Sequence, residues 1–197
     1  MEEHRCGWGI DHGIVQAYHD QEWGIPVHED KVHFEYLLME VMQCGLNWTM
    51  MLKKREIFRS CFDAFDFYKI AQYDQEKIDQ IMQTEGMIHS IRKITAIIQN
   101  AKLFLKIIEE YGSFDEFLWR HSGYKTIVYK SHTYNQLPDH NELSDQISKE
   151  LKKRGFKYLG SITIYSHLQA CGMINDHDRD CYRYAYINEH YPVEERE

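Results

Sequence analysis

Four residues near the two ends of the chain are of types that bind soft metal ions. Cys6 and His19 stand near the start, and His177 and Cys181 stand in NDHDRDC near the end. Two thiols and two imidazoles form a four-coordinate donor set that suits zinc. The twelve residues between Cys6 and His19 leave room for a loop and the start of a helix. The His-x₃-Cys spacing predicts one helical turn, because positions i and i+4 share a face. Four protein donors leave no open coordination position, so such a zinc is structural and joins the termini. A competing reading, a zinc-dependent hydrolase, needs an open position. With twelve histidines and five cysteines in the chain, His12, His28 and His33 also compete for places in the site.

The run LLMEVMQCGLNWTMML, residues 37–52, is almost wholly apolar yet carries Glu40. An ionised carboxylate is costly to bury unless it is paired or hydrogen-bonded. Two readings stand. On a helix Glu40 shares a face with Tyr36, Gln43 and Asn47, which can be a solvated face. Alternatively, the carboxylate is placed to hold something that enters the core. A third stretch, LKKRGFKYLGS at 151–161, sets Gly155 and Gly160 around Phe156, Tyr158 and Leu159 between two helical patterns. Glycines there permit positive φ. A helix N-terminus with Lys157 and Ser161 beside it favours phosphate, so the stretch reads as a helix–hairpin–helix gripping a DNA backbone. The alternative is a helical corner with a solvated basic flank.

Helices must position these groups. Only three prolines, at 26, 138 and 192, interrupt the chain. Ile91, Ile94, Ile97, Ile98, Ala101, Phe104, Leu105 and Ile108 recur at three- and four-residue steps, which predicts a long amphipathic helix ending near Gly112. Asp66 and Asp74 sit where N-caps belong. Further helices are expected over about 30–46 and 47–60, weakened at Gly45, and over about 114–121, 142–153 and 161–172. Only YKTIVYK at 124–130 alternates like a strand, and one short run makes no sheet. The segment 122–140 has the least ordered composition. The fold class is all-α.

The hydrophobic fraction of 43% fits a packed globular protein, and no apolar run reaches the roughly 18 residues that cross a bilayer. The start reads as no signal peptide, so a cytoplasmic protein with free or metal-bound thiols is expected. The net charge of −8 argues against a nucleic-acid partner, but the sign is uneven. Lys53, Lys54 and Arg55 form one basic cluster, and Lys152, Lys153, Arg154 and Lys157 form another. The acidic tail at Glu194, Glu195 and Glu197 suggests no role.

Several segments, in order, together resemble one family, the type I DNA-3-methyladenine glycosylases. They are RCGW at 5–8, AYHDQEWGIP at 17–26, QCGLNW at 43–48, LKKRE at 52–56, KITAIIQNA at 93–101, LKKRGFKYLGS at 151–161, and QACGMINDH with Cys181. The resemblance implies a single helix–hairpin–helix glycosylase domain over 1–197, in one or two helical lobes, with one structural zinc joining its ends. It implies a monomer that flips 3-methyladenine out of alkylated double-stranded DNA and excises it with water. An abasic site and the free base are the products.

The zinc ligands implied are Cys6, His19, His177 and Cys181. The carboxylate that recognises the base is Glu40. Tyr18 and Trp48 are the aromatic walls, with Trp23 and Trp8 as further lining, and Gly155, Lys157, Gly160 and Ser161 meet the DNA backbone. The chain departs from the family pattern at Val15, where a pocket tyrosine is expected, and at Val41, where glycine is expected. Cys44 and Asn47 stand for alanine and serine, and His89 and Ile91 for two arginines. Those departures leave room for an altered substrate range, or for a binder of methylated bases that does not excise them.

Overall fold

A computed structural model of the chain describes residues 4–10, 13–43, 45–133 and 136–197. Its elements in order are α1 (Ile14–Gln21), α2 (Asp30–Gln43), α3 (Trp48–Cys61), α4 (Phe67–Ile70), α5 (Gln75–Gln83), α6 (Ile91–Tyr111), α7 (Phe114–Trp119), β1 (Thr126–Tyr129), α8 (Glu142–Arg154), α9 (Ser161–Ala170), α10 (Tyr182–His190) and β2 (Val193–Arg196). The caps fall where the side chains dictate. Asp66 accepts from the Tyr68 and Lys69 amides and Asp74 from the Lys77 amide, each satisfying donors that a helix start leaves without a partner. Gly112 ends α6 at φ +91°, and Gly45, at φ +87°, turns the chain between α2 and α3.

α2 is the central strut. Ten of its fourteen residues, His33 to Met42, are buried. A helix covered on every side must lie inside the molecule, and α2 packs against α3, α6, α7 and α9. The buried face of α6, with Ile94, Ile97, Ala101 and Phe104, closes the core beside it. Each such isoleucine or phenylalanine contributes roughly 1.5–3 kcal/mol of burial.

The expectation of no sheet is corrected. β1 and β2 form a small parallel two-stranded sheet, with Thr126 opposite Val193 and Tyr129 opposite Arg196. The far edge of β1 is also used: the Ile127 amide donates to the Met173 carbonyl at 2.8 Å, and the Asn175 amide donates to the Ile127 carbonyl at 2.9 Å. The acidic tail therefore has a structural role, because it pairs with β1 and closes a backbone ladder that reaches the 173–175 segment. α10 also lies outside the elements read from the sequence. Among the described residues no helix is long and apolar enough to cross a membrane.

Candidate active site and metal centre

The fold brings the two ends of the chain together. Cys6 precedes a short 3-10 turn, His19 lies on α1, His177 sits in a turn after α9, and Cys181 caps α10. The one-turn-of-helix expectation for His177 and Cys181 is corrected: a non-helical turn joins them, closed by the Cys181 amide donating to the Asp178 carbonyl at 2.8 Å. All four side chains are buried, and their ligand atoms lie within 4.8 Å of one another. Cys6 Sγ is 3.3 Å from His177 Nδ1, and Cys181 Sγ is 3.6 Å from His19 Nε2 and 3.7 Å from His177 Nδ1. A tetrahedral ion with bonds of 2.0–2.3 Å holds sulfur and nitrogen about 3.6 Å apart, close to these three sulfur–nitrogen separations.

The outer contacts fix which nitrogen faces inward. His19 Nδ1 meets Asp20 Oδ1 at 2.8 Å, and His177 Nε2 meets the Trp23 carbonyl at 3.0 Å. Each imidazole thus points its other nitrogen at the cluster, as a carboxylate or carbonyl behind a ligand histidine ensures. Asp20 is itself gripped by Arg5 Nε at 3.0 Å. Partial burial opposes its ionisation, but hydrogen bonds from Arg5, His19 and Tyr182 hold its carboxyl at about 2. The Asp178 amide points at Cys6 Sγ from 3.2 Å, which favours a thiolate. Gly9 and Gly24 let the backbone lie against the two rings: an added Cβ would stand 2.6 Å from His19 and 2.7 Å from His177. His28 and His33 lie elsewhere, against Asp115, and His12 is outside the described residues.

Next to this centre opens a cleft of about 260 Å³. Trp8, Tyr18 and Trp23 form one side, Glu40, Gln43 and Trp48 another, and Ser166 and Gln169 of α9 close it. The aromatic wall is continuous with the metal centre. Trp23 packs edge-on against the His177 ring at 4.5 Å and against Trp8 at 4.8 Å, and Trp8 packs on His19 at 5.0 Å. On α1 the neighbours Tyr18 and His19 divide the work: one lines the cleft and the other faces the cluster. Tyr18 and Trp48 are tilted by 52° with centroids 5.6 Å apart, a direct ring contact. The Trp48 indole N–H is buried with no acceptor among the described residues.

Glu40 is 5% exposed, so the solvated-face reading does not hold. Its companions differ: Tyr36 is also buried, Gln43 lines the cleft, and Asn47 caps α3 by accepting from the Met50 amide at 2.8 Å. Burial raises the Glu40 carboxyl to about 8. A carboxylic acid poised near neutrality in a cleft is a physical sign of function.

A family model described as Methyladenine glycosylase matches residues 8–184. The chain belongs to this family. It is 41% identical over 177 residues to DNA-3-methyladenine glycosylase 1 of Escherichia coli K12, covering 90% of this chain and 95% of that protein. It is 39% identical to DNA-3-methyladenine glycosylase of Haemophilus influenzae, covering 90% of this chain and 96% of that one. A solved structure of 3-methyladenine DNA glycosylase I from Staphylococcus aureus, titled for its recognition of 3-methyladenine, matches with a TM-score of 0.86. It is 34% identical and covers 90% of this chain and 95% of the other. The family resemblance read from the motifs is borne out.

Against this family background, the departures fall into place individually. Val15 packs half-buried against the core and is not among the residues lining the cleft, where Trp8 and Trp23 stand instead. His89 is exposed and bonds the Thr84 carbonyl, and Ile91 is 55% exposed at the start of α6. Cys44 lies outside the described residues. Ser166 and Gln169 were not singled out in the sequence. Their only signal is i, i+3 polarity on α9, and Asp176 steadies Gln169 from 2.8 Å.

The turn between α8 and α9 is firmly held. Gly155 adopts φ +101° at the C-cap of α8. Asn100 reaches from α6 to bracket Lys157, accepting from its amide at 2.9 Å and donating to its carbonyl at 3.0 Å. Gly160 caps α9 without a side chain, so the first amides of α9, at Ser161 and beyond, have no side-chain cap. The basic clusters are thinner than the sequence suggests. Arg154 is tied to Glu110 and Glu150, Arg55 to Glu22 and Glu35, and Lys54 to the Gly86 carbonyl. Lys53, Lys152, Lys153 and Lys157 remain exposed.

Proposed function

We propose that this chain is a DNA-3-methyladenine glycosylase that hydrolyses the N-glycosidic bond of 3-methyladenine in alkylated double-stranded DNA, leaving an abasic site. The observation that carries the reading is Glu40: a buried carboxyl, poised at about 8, in an aromatic cleft of about 260 Å³. That volume is small for a ligand site and suits a single base flipped from the duplex.

A base methylated on a ring nitrogen is cationic while attached to the sugar. As it enters, its charge favours the ionised form of Glu40, and its exocyclic amino group can donate to the carboxylate. Stacking and cation–π attraction to Tyr18 or Trp48 add roughly 0.5–2 kcal/mol each. The two rings touch at a tilt, so the base stacks on exposed ring faces beside Trp8 and Trp23, or the Trp48 ring turns to admit it. A neutral base gains none of the charge-dependent terms, which makes the cleft selective for damage. Because the departing base leaves neutral, little acid catalysis is required. No lysine lines the cleft among the described residues, in keeping with attack by water and no Schiff base.

Zinc at Cys6, His19, His177 and Cys181 would be structural, supplying a cross-link between the chain ends. With all four donors engaged there is no open position for hydrolytic chemistry. Its place behind Trp8 and Trp23 makes it the buttress of the cleft wall. The helix–hairpin–helix of α8 and α9 would take a DNA phosphate at the Ser161 amides, with Gly155 and Gly160 allowing close approach and Lys157 beside it. The protein acts as a monomer.

The deciding experiment incubates the zinc-loaded protein with methylated duplex DNA and identifies the free bases released. Release of 3-methyladenine is expected. Binding of the DNA without release of any base would leave a non-excising binder as the better account.

A further inference from the structure

A second group of metal-binding side chains lies across α9 from the cleft. His33 of α2 and His167 and Cys171 at the end of α9 bring three ligand atoms within 4.8 Å of one another, all fully buried. His167 and Cys171 are four residues apart, so they share the helix face that meets α2.

Their partners do not account for them. Among the described residues neither ring nitrogen of His167 has a hydrogen-bond partner, and His33 Nδ1 has none either. The Cys171 thiol makes a long contact of 3.7 Å to the Leu168 carbonyl, and the Met173 backbone lies close enough to its sulfur to favour a thiolate. Buried polar groups are almost always satisfied, because leaving them without partners is costly. Three such nitrogens in one place call for a ligand.

The outer contact has the form found behind ligand histidines. His33 Nε2 meets Asp115 Oδ1 at 3.3 Å, which leaves Nδ1 as the lone-pair nitrogen. Asp115 is fixed in turn by His28 at 3.0 Å, and its own amide donates to Asp30 at 2.9 Å.

We propose that His33, His167 and Cys171 form a second metal site, separate from the cluster at the chain ends, that takes a transition-metal ion of the zinc class and pins α2 to α9. Two imidazoles and one thiolate select borderline or soft ions over magnesium or calcium. On binding, the Cys171 thiol gives its proton to solvent and its sulfur bonds the ion, while the two imidazoles use existing lone pairs. The thiolate and the Asp115 carboxylate behind His33 together balance a divalent charge. In the metal-free state burial keeps His167 neutral and pushes the Cys171 thiol up to about 12. The ion joins the helix that carries Glu40 to the helix that carries Ser166 and Gln169. It therefore sets the spacing of two cleft walls without touching the base.

The test is the metal content of the full chain after loading with zinc and removal of excess, compared with His167→Phe and Cys171→Ser. Wild type should carry one equivalent more than either variant, whatever the terminal cluster holds. Copper in place of zinc as that extra equivalent would support the site equally. Equal contents in all three proteins would overturn it. Melting temperature separates the cases again. If the site binds metal, chelation lowers wild type more than His167→Phe. If it does not, His167→Phe melts higher than wild type with or without metal, because an imidazole lacking partners has been replaced by a ring that needs none.

Discussion

Glu35 and Glu40 lie on the same helix, five residues apart, and are buried to nearly the same degree, 6% and 5% exposed. Their surroundings are opposite. Glu35 accepts from Arg55 Nε at 2.6 Å and from Arg59 at 3.3 Å, and Arg55 continues to Glu22 at 2.7 Å. Glu40 faces the aromatic cleft, where burial alone raises its carboxyl to about 8. The pair teaches how one helix holds two carboxylates for different ends. The first is matched by fixed cations and anchors α3 to α2. The second has its charge penalised by burial, a penalty that in the function proposed above an incoming cationic base offsets.

The largest expected effect is on stability against pH. The Glu40 carboxyl titrates near 4.5 unfolded and about 8 folded. Below 4.5 both states hold the proton. Between these values only the folded state does, so stability falls as pH rises through the window, and the full penalty stands above about 8. At 1.36 kcal/mol per unit this full penalty is about 5 kcal/mol. Denaturant titrations at pH 5 and pH 9 should show it, and Glu40→Gln should remove most of the difference.

Next comes the paired carboxylate. Arg55→Met leaves Glu35 with only the longer Arg59 contact, and loss of one partner of a buried pair costs about 3 kcal/mol. A urea midpoint shifted with unchanged slope is the expected signature. No shift would mean that Arg59 suffices.

Excision should separate the two glutamates most clearly. Glu40→Gln is expected to fold and to lose roughly 10²-fold in base release, about 2.7 kcal/mol of transition-state stabilisation. Glu35→Gln, corrected for the folded fraction, should excise near the wild-type rate. Similar losses in both variants would collapse the distinction. The smallest effect is a proton count. Binding of a permanently cationic methylated purine at pH 7 should release up to one proton in wild type and none in Glu40→Gln, read from calorimetry in buffers of different ionisation heat.

Much of the frame was legible. The caps at Asp66 and Asp74, the length of α6 and the break at Gly45 are local matters, decided by residues within a turn of each other. The four terminal donors were candidates by residue type, and the family resemblance singled them out from His12, His28 and His33. Other features depended on distant partners. Nothing near Arg55 announces that its charge is matched inside by Glu22 and Glu35 rather than offered to DNA. Nor does the tail reveal that Glu194 and Glu195 continue a strand beside Ile127 and Val128.

By itself the sequence determined the helical elements, the donor types for a metal, and a family pattern with Glu40 in it. Short-range hydrogen bonding and apolar spacing suffice for the elements, and residue chemistry suffices for the donors. Only the tertiary structure decided that Glu35 meets two arginines and that burial raises the Glu40 carboxyl, because both depend on groups brought from other helices. It likewise packed Trp8 and Trp23 of the cleft lining against the terminal Cys/His cluster, and it set His33 against His167 and Cys171 across more than a hundred residues of chain. Burial and pairing belong to the assembled core, and no stretch of sequence carries them alone.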